Sequence, residues 1–407
     1  LFEYGGCAWN FSNNGSATSL YKLWRVFTFG LIGRDGYSFA NIARRRRKKD
    51  LAPRVLIATG GTGGHVFPAL ACSQEFQKRG WEVWFVGTGR DMERPLLSVG
   101  QYRALQAKPL TGKGIVGGIM GILALVFALP QAVALLRSIK PDLVLGFGSY
   151  VSGPMILASA ILRIPRAIHE QNVIPGLANR LSAPFAQRVF VSFEETLSHF
   201  PESKTELTGN PVRQKVIEDA RKEERKMPFT VFVLGGSQGS SALNRVVSEA
   251  LRSLKDKIRI IHQTGRMDYE WLKEEYGKMG VEGWVFPFDE SIGRWYGKAH
   301  LIISRAGALT LAEISCVGRA SILVPYPHST SNHQVKNAQV FVKHGASKMI
   351  LQSELTPKKL IESVEELMTK EELRLEMEKR ALSLGKPHAA EKIVDLSMEL
   401  EGCTVGR

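Results

Sequence analysis

The sequence predicts an α/β protein built from two Rossmann-like domains, and three observations carry that prediction. From Arg54 onward, short runs rich in Val, Ile and Leu alternate with helical stretches. The alternation comes as two successive series. Each series opens on a strand, a glycine-rich turn and a helix. Apolar runs of this length, bounded by Gly or Pro, read as parallel strands buried on both faces. Strand–helix alternation places helices on both sides of a doubly wound sheet.

The first series of expected strands is 54–59, 83–86, 142–146, 166–169 and 188–192. The second is 229–234, 258–262, 284–288, 301–304, 321–324 and 348–351. Residues 51–217 are therefore expected to form one domain and 218–388 the other, with the charged stretch 218–226 as the connection. The helical pattern at 389–400 has no strand after it, so residues 389–407 are expected to pack back across the domains. A chain of 407 residues is long enough for such an arrangement, each domain burying its own core.

Residues 1–50 read differently, with Gly, Asn and Ser, scattered aromatics and no period. They are expected to be a disordered basic extension or a start-site artefact. Nine Lys/Arg against three Asp/Glu give them +6 of the net +15. The densest run, RRRRKK at 44–49, reads first as a solvated linker and second as a contact for anionic lipid. Nucleic acid ranks last, because no aromatic-interleaved basic surface accompanies the run. Positive charge follows the apolar residues, which is the wrong order for a signal peptide. Cys7, Cys72, Cys316 and Cys403 lie far apart without ligand spacing. That argues against disulfides and zinc and fits a reducing cytoplasm.

From Ile115 to Leu136 no residue is charged, which meets the crude length for a membrane span. Gly117, Gly118, Gly121 and Pro130 interrupt the stretch, and it falls inside the first α/β series. A true span would split the sheet across a bilayer. The expectation is a loop and helix with an exposed apolar face, flanked by Lys108, Lys113, Arg137 and Lys140, that meets an anionic membrane surface. A fully buried helix is the alternative.

The first glycine-rich turn is GGTGGH at 60–65, and the second is GGSQG at 235–239. A turn of this kind aims free N–H groups and a helix dipole at an anion. Neither matches the dinucleotide or the NTP-binding spacing, which argues against hydride transfer and NTP hydrolysis. A third turn, SRAGALT at 304–310, enters a helix bearing Glu313. Glu313 reads equally as a ribose ligand or as an acid complementing the helix dipole. Three polar clusters fall at or beyond strand ends: His169-Glu170-Gln171-Asn172, Gly209-Asn210-Pro211-Val212-Arg213 and Asn332-His333-Gln334. Amides, imidazoles and a guanidinium suit a polyhydroxylated anion such as a nucleotide sugar. No Asp-x-Asp pair sits beside a strand end, so no metal or other cofactor is expected, and a leaving diphosphate would rely on Arg213 and a helix N-terminus.

These motifs, together with PGLANR at 175–180, resemble the MurG family in matching order over roughly residues 53–400. The resemblance implies a GT-B glycosyltransferase fold, with the domains facing each other across a cleft. It implies transfer of GlcNAc from UDP-GlcNAc to the muramyl C4 hydroxyl of lipid I, forming lipid II for peptidoglycan. Peripheral attachment at the cytoplasmic membrane face, possible contacts with cell-wall machinery and no nucleic-acid partner follow from it. So does the reading of 115–136 as a membrane-contact patch. Carried over residue by residue, the substrate contacts are Thr62, Gly63, Gly64, Asn172, Arg213, Ser237, Asp289, Ala308, Leu309, Thr310, Leu311, Ala312, Glu313 and Gln334. This chain departs from the pattern in having Ser149 where a second Gly is usual and Asp289 where an Ile is common. It carries the Asn-His-Gln version of the sugar-binding loop.

His65 is the expected base for an inverting displacement, since an imidazole at a helix start can titrate near neutral pH. Capping the turn or orienting a lipid diphosphate are its alternative roles. Two rival functions remain: a glycolipid synthase of the same fold acting on diacylglycerol, and a non-catalytic nucleotide-sugar-binding protein.

Overall fold

A computed structural model describes residues 52–90, 93–105, 114–236 and 239–403. The expectations for residues 1–50 lie outside that range. The first sheet contains β1 (Arg54–Ala58), β2 (Glu82–Gly87), β3 (Gln101–Ala104), β4 (Leu143–Gly146), β5 (Arg166–Glu170), β6 (Arg188–Val191) and β7 (Thr205–Leu207). Its order is β3-β2-β1-β4-β5-β6-β7, parallel throughout. The second contains β8 (Phe229–Leu234), β9 (Ile258–Gln263), β10 (Gly283–Phe286), β11 (Leu301–Ser304), β12 (Ser321–Leu323) and β13 (Lys348–Met349). Its order, β10-β9-β8-β11-β12-β13, is again parallel.

Strand order reverses between β1 and β4 in one sheet and between β8 and β11 in the other. The loops leaving these strands are where open α/β sheets bind ligands. The turns at 60–65, 235–239 and 304–310 are three of those loops.

The helices are α1 (Gly63–Lys78), α2 (Glu93–Leu96), α3 (Gly114–Ile139), α4 (Ser149–Ile161), α5 (Leu177–Ser182), α6 (Gln214–Arg221) and α7 (Ser241–Arg252). They continue with α8 (Tyr269–Met279), α9 (Gly293–Lys298), α10 (Ala308–Val317), α11 (His333–Lys343), α12 (Pro357–Thr369), α13 (Glu371–Leu384) and α14 (Ala389–Cys403). The two-residue alternation of a strand explains why each sheet has two cores. Val55 and Ile57 of β1 face Val66, Leu70 and Phe76 of α1, whereas Leu56 and Ala58 face Leu136, Val151 and Met155 of α3 and α4. In the second sheet Val231 and Val233 pack with Leu243 and Val247, and Phe232 and Leu234 with Tyr296 and Leu311.

Three sequence expectations change. Strands β3 and β7 were not expected, because they are short edge strands with no fully buried residue. The supposed connection at 218–226 begins inside α6, whose Val216, Ile217 and Ala220 join the second sheet's core, as does Val212 before it. The boundary at 217/218 therefore cuts an element of the second domain. The uncharged stretch belongs to one long helix, α3, with no loop inside the described part. Ala128, Ala132, Leu136 and Ile139 are buried at helical spacing, while Phe127 is 72% exposed. Among the described residues, no helix is long and apolar enough to cross a membrane. The final helix, α14, places Ile393, Val394 and Leu400 in the core of the first sheet.

Candidate active site

The first turn follows β1 with Gly60 at φ +152°. A Cβ there would lie 2.8 Å from Thr88 Cγ2 and 2.9 Å from Glu93 Oε1, so only glycine fits. The Thr62 carbonyl accepts from the N–H groups of His65 and Val66 and starts α1. Thr62 and Gly64 are exposed, Gly63 is buried and His65 is half-buried. Glu93 holds the turn from behind. Its buried carboxylate accepts from Gly61 N at 2.8 Å, Thr88 N at 2.7 Å, Gly89 N at 3.2 Å and Tyr102 Oη at 3.0 Å.

His65 lies against the turn that leaves β4. Gly148, at φ +77°, leaves room for the imidazole: a Cβ would come within 3.1 Å of its Cε1. Ser149 follows at φ +64°, a left-handed backbone that glycine adopts without strain. Nδ1 of His65 lies 3.1 Å from Gln171 Oε1. Burial draws the His65 pKa below its ordinary value, while Glu170, Gln171 and the Phe147 carbonyl pull it upward. The neighbouring His169 is fully buried and pushed down to about 4 by burial, so it is neutral at pH 7. Glu170 is buried too, and accepts from Asn172 N at 2.9 Å, Gly176 N at 3.0 Å and Asn179 Nδ2 at 2.9 Å.

A cation lies just beyond the second turn. Arg305 donates from Nε to Ser240 Oγ at 3.0 Å, from Nη1 to the carbonyls of Val324 and Pro325 at 3.0 and 3.2 Å, and from Nη2 to Gln352 Oε1 at 2.6 Å. Next along the chain, α10 starts at Ala308 after Gly307 as N-cap. Leu311 is fully buried in the second core and Ala312 packs against that core. The Leu311 side chain is therefore closed to a ligand. Leu309 reaches across to the first sheet's core, and Thr310 is half-buried. Glu313 is the sixth helical residue, and the first turn holds no acid, so the dipole does not account for it. It accepts from Tyr296 Oη at 2.8 Å, and burial raises its pKa against the opposing influence of Arg213 and Tyr296.

Gln334 turns its Oε1 to the N–H groups of Ala306 and Tyr326, at 3.2 and 2.9 Å. The end it offers a ligand is therefore the donor Nε2. Asp289 is tied back on its own loop by Ser291 N at 2.8 Å, Arg294 Nη2 at 2.7 Å and Trp295 Nε1 at 2.6 Å. Burial opposes its charge, but these hydrogen bonds hold its carboxyl below the ordinary value. Its side chain thus caps its own loop.

The two halves meet through residues the sequence singled out and through one, Asn337, that it did not. Asn337, fully buried on α11, accepts from Val173 N at 3.0 Å. Its Nδ2 donates to Asn172 Oδ1 at 3.1 Å and to the Ala306 carbonyl at 3.3 Å. Its nearness to Asn332-His333-Gln334, one turn along the same helix face, was the available signal. Arg213 stacks its guanidinium 4.4 Å from the Phe67 ring and donates to the Glu290 carbonyl at 3.4 Å. His333 feels both Glu170 and His65, and burial is the first cause of its lowered pKa. So Asn172, Arg213, Asp289, Glu313 and Gln334 join one connected region with the His65 turn. Ser237 lies outside the described residues.

Two family models match. The glycosyltransferase family 28 N-terminal domain covers residues 55–191, and the family 28 C-terminal domain covers 230–393. A Desulfotalea psychrophila UDP-N-acetylglucosamine–N-acetylmuramyl-(pentapeptide) pyrophosphoryl-undecaprenol N-acetylglucosamine transferase is 42% identical over 87% of this chain and 98% of its own length. The protein of the same name from Myxococcus xanthus is 40% identical over 85% of this chain and 93% of its own. Among solved structures, Acinetobacter baumannii MurG is similar at TM-score 0.70 with 32% identity, covering 86% of this chain and 100% of that one.

Proposed function

Since the chain belongs to the MurG family of glycosyltransferase family 28, with its GT-B fold, we propose how its own residues carry the family's reaction. It is a UDP-GlcNAc-dependent N-acetylglucosaminyltransferase that acts on lipid I and so makes lipid II for peptidoglycan. The observation that carries the assignment of roles is the joining of two unlike turns. One bears an imidazole, the other lies beside a guanidinium, and Asn337 ties the loop after β5 in the first half to the loop after β11 in the second.

His65 takes the proton of the muramyl C4 hydroxyl as that oxygen bonds to the anomeric carbon of GlcNAc. The bond from that carbon to UDP breaks on the opposite face, giving a β-linkage. The departing diphosphate is met by Arg213 and the N-terminus of α10. The ribose hydroxyls donate to Glu313, whose buried carboxyl is already fixed by Tyr296. Uracil meets backbone beside Asp289, and the sugar meets the Nε2 donor of Gln334. Attachment to the cytoplasmic membrane face is supported by exposed Phe127, by Arg137 further along α3 and by Lys140 just after its end.

Incubating the protein with UDP-GlcNAc and a lipid I analogue and measuring UDP release tests the assignment. Release is expected. Release with diacylglycerol alone, or binding of UDP-GlcNAc without turnover in either mixture, would overturn it.

A further inference from the structure

Gln171 is 1% exposed and stands between two histidines. Its Nε2 faces the carbonyl oxygens of Phe147 at 3.2 Å and His169 at 3.3 Å, and Nδ1 of His169 at 3.1 Å. Carbonyl oxygens only accept, so a reversed amide would set oxygen against oxygen at two contacts. The amide orientation is thereby fixed, and Oε1 must be the atom 3.1 Å from His65 Nδ1. Oε1 also only accepts. A neutral His65 with its proton on Nε2 would put two lone pairs face to face there. With the proton on Nδ1 the contact is a hydrogen bond, and the lone pair sits on Nε2.

The network closes consistently on the far side. His169 accepts from Gln171 at Nδ1, so its proton is on Nε2, which lies 3.0 Å from the Gly209 carbonyl. The chain of bonds thus runs from the Gly209 carbonyl through His169 and Gln171 to His65, with one direction available to it. The other ionisable groups facing the His65 ring are Glu170 and His333.

We propose that Gln171 is a positioning residue that fixes the proton of His65 on Nδ1 and so presents Nε2 as the proton-accepting atom. Many imidazole bases are oriented by a carboxylate, which also raises their basicity. A neutral amide orients the ring without adding charge, which leaves His65 unprotonated at lower pH. The kinetic part of the proposal rests on the reading of His65 as the base; the tautomer does not.

The test is the 15N spectrum of imidazole-labelled full-length protein above the titration of His65, with His65→Gln assigning the resonances. Nδ1 is expected to carry the proton in the unsubstituted protein. Gln171→Met is expected to shift His65 toward the Nε2–H form. It should also lower kcat by about 10-fold to 100-fold, with the KM for UDP-GlcNAc changed by less than about 2-fold. Finding the His65 proton on Nε2 in the unsubstituted protein would sink the proposal whether or not the variant folds. So would a Gln171→Met protein with the Nδ1–H form and full kcat. Full turnover by His65→Ala would instead remove His65 as base and leave the tautomer result standing.

Discussion

The two glycine-rich turns occupy equivalent places in the two sheets, yet groups of opposite charge stand beside them. Behind the first turn lies Glu93, which takes up the N–H groups of Gly61, Thr88 and Gly89. Behind the second lies Arg305, whose partners are all oxygen acceptors: Ser240, Val324, Pro325 and Gln352. One clamp consumes backbone donors and adds negative charge. The other consumes no backbone donor and adds positive charge. An anion is therefore favoured at the second turn and disfavoured at the first. The same strand–turn–helix thus carries unlike surroundings in the two halves, and the proposed roles assign the donor diphosphate to the half with Arg305 and the proton chemistry to the half with Glu93.

The sharpest way to break this division is at His65. His65→Ala is expected to lower kcat by about 10²-fold to 10⁴-fold, the usual contribution of a positioned proton acceptor. The KM for UDP-GlcNAc should hold; a raised donor KM at unchanged kcat would move His65 to the donor side. Because burial lowers the His65 pKa, the acid limb of the rate should fall below the ordinary imidazole value of 6.5, with activity lost as the ring protonates. The clamps come next. Glu93→Ala and Arg305→Met each leave several buried or partly buried partners unsatisfied and are each expected to cost about 3 kcal/mol in thermal or urea unfolding. Only Arg305→Met should raise the donor KM, and equal donor effects from both would erase the contrast.

Acid should act on the two halves alike. Burial depresses His169 in the first half to about 4 and His262 in the second to about 3. Both rings are neutral when folded but take up protons below about 6.5 when unfolded. Stability is thus complete above that pH and falls as pH drops, by on the order of 3 kcal/mol per ring at pH 4. Urea titrations of His169→Gln and His262→Gln from pH 7 to pH 4 would show whether each removes its share of the slope. The smallest effect is at Ser149, whose φ of +64° suits glycine. Ser149→Gly is expected to raise stability by about 1 kcal/mol with turnover unchanged, checked by melting temperature and kcat.

What the sequence made legible was local. Buried central strands such as β8 are continuous apolar runs, and the turns after β1, β8 and β11 carry their glycines in plain order. The candidate residues around those turns could be picked out for the same reason. Edge strands β3 and β7 escaped because a strand paired on one side has no need of apolar residues on both faces. Glu93 and Arg305 were visible as letters, but their work depends on partners brought close only by the fold, such as Gly61 and Gln352. Asn337 escaped likewise, since a buried amide joining two domains leaves no period in either. The reading of 218–226 as a connection failed because a charged outer face hid the apolar stripe of α6.

The crossing of α14 also bears on how the protein is made. Domains generally fold as units, the N-terminal one first as it leaves the ribosome. Here the first sheet lacks Ile393, Val394 and Leu400 until all the strands of the second sheet have been synthesised, although its own strands end at Leu207. The half that bears His65 is thus begun before the other half and completed after it. A nascent chain stopped before α14 would hold a finished donor half beside a first half with an open flank.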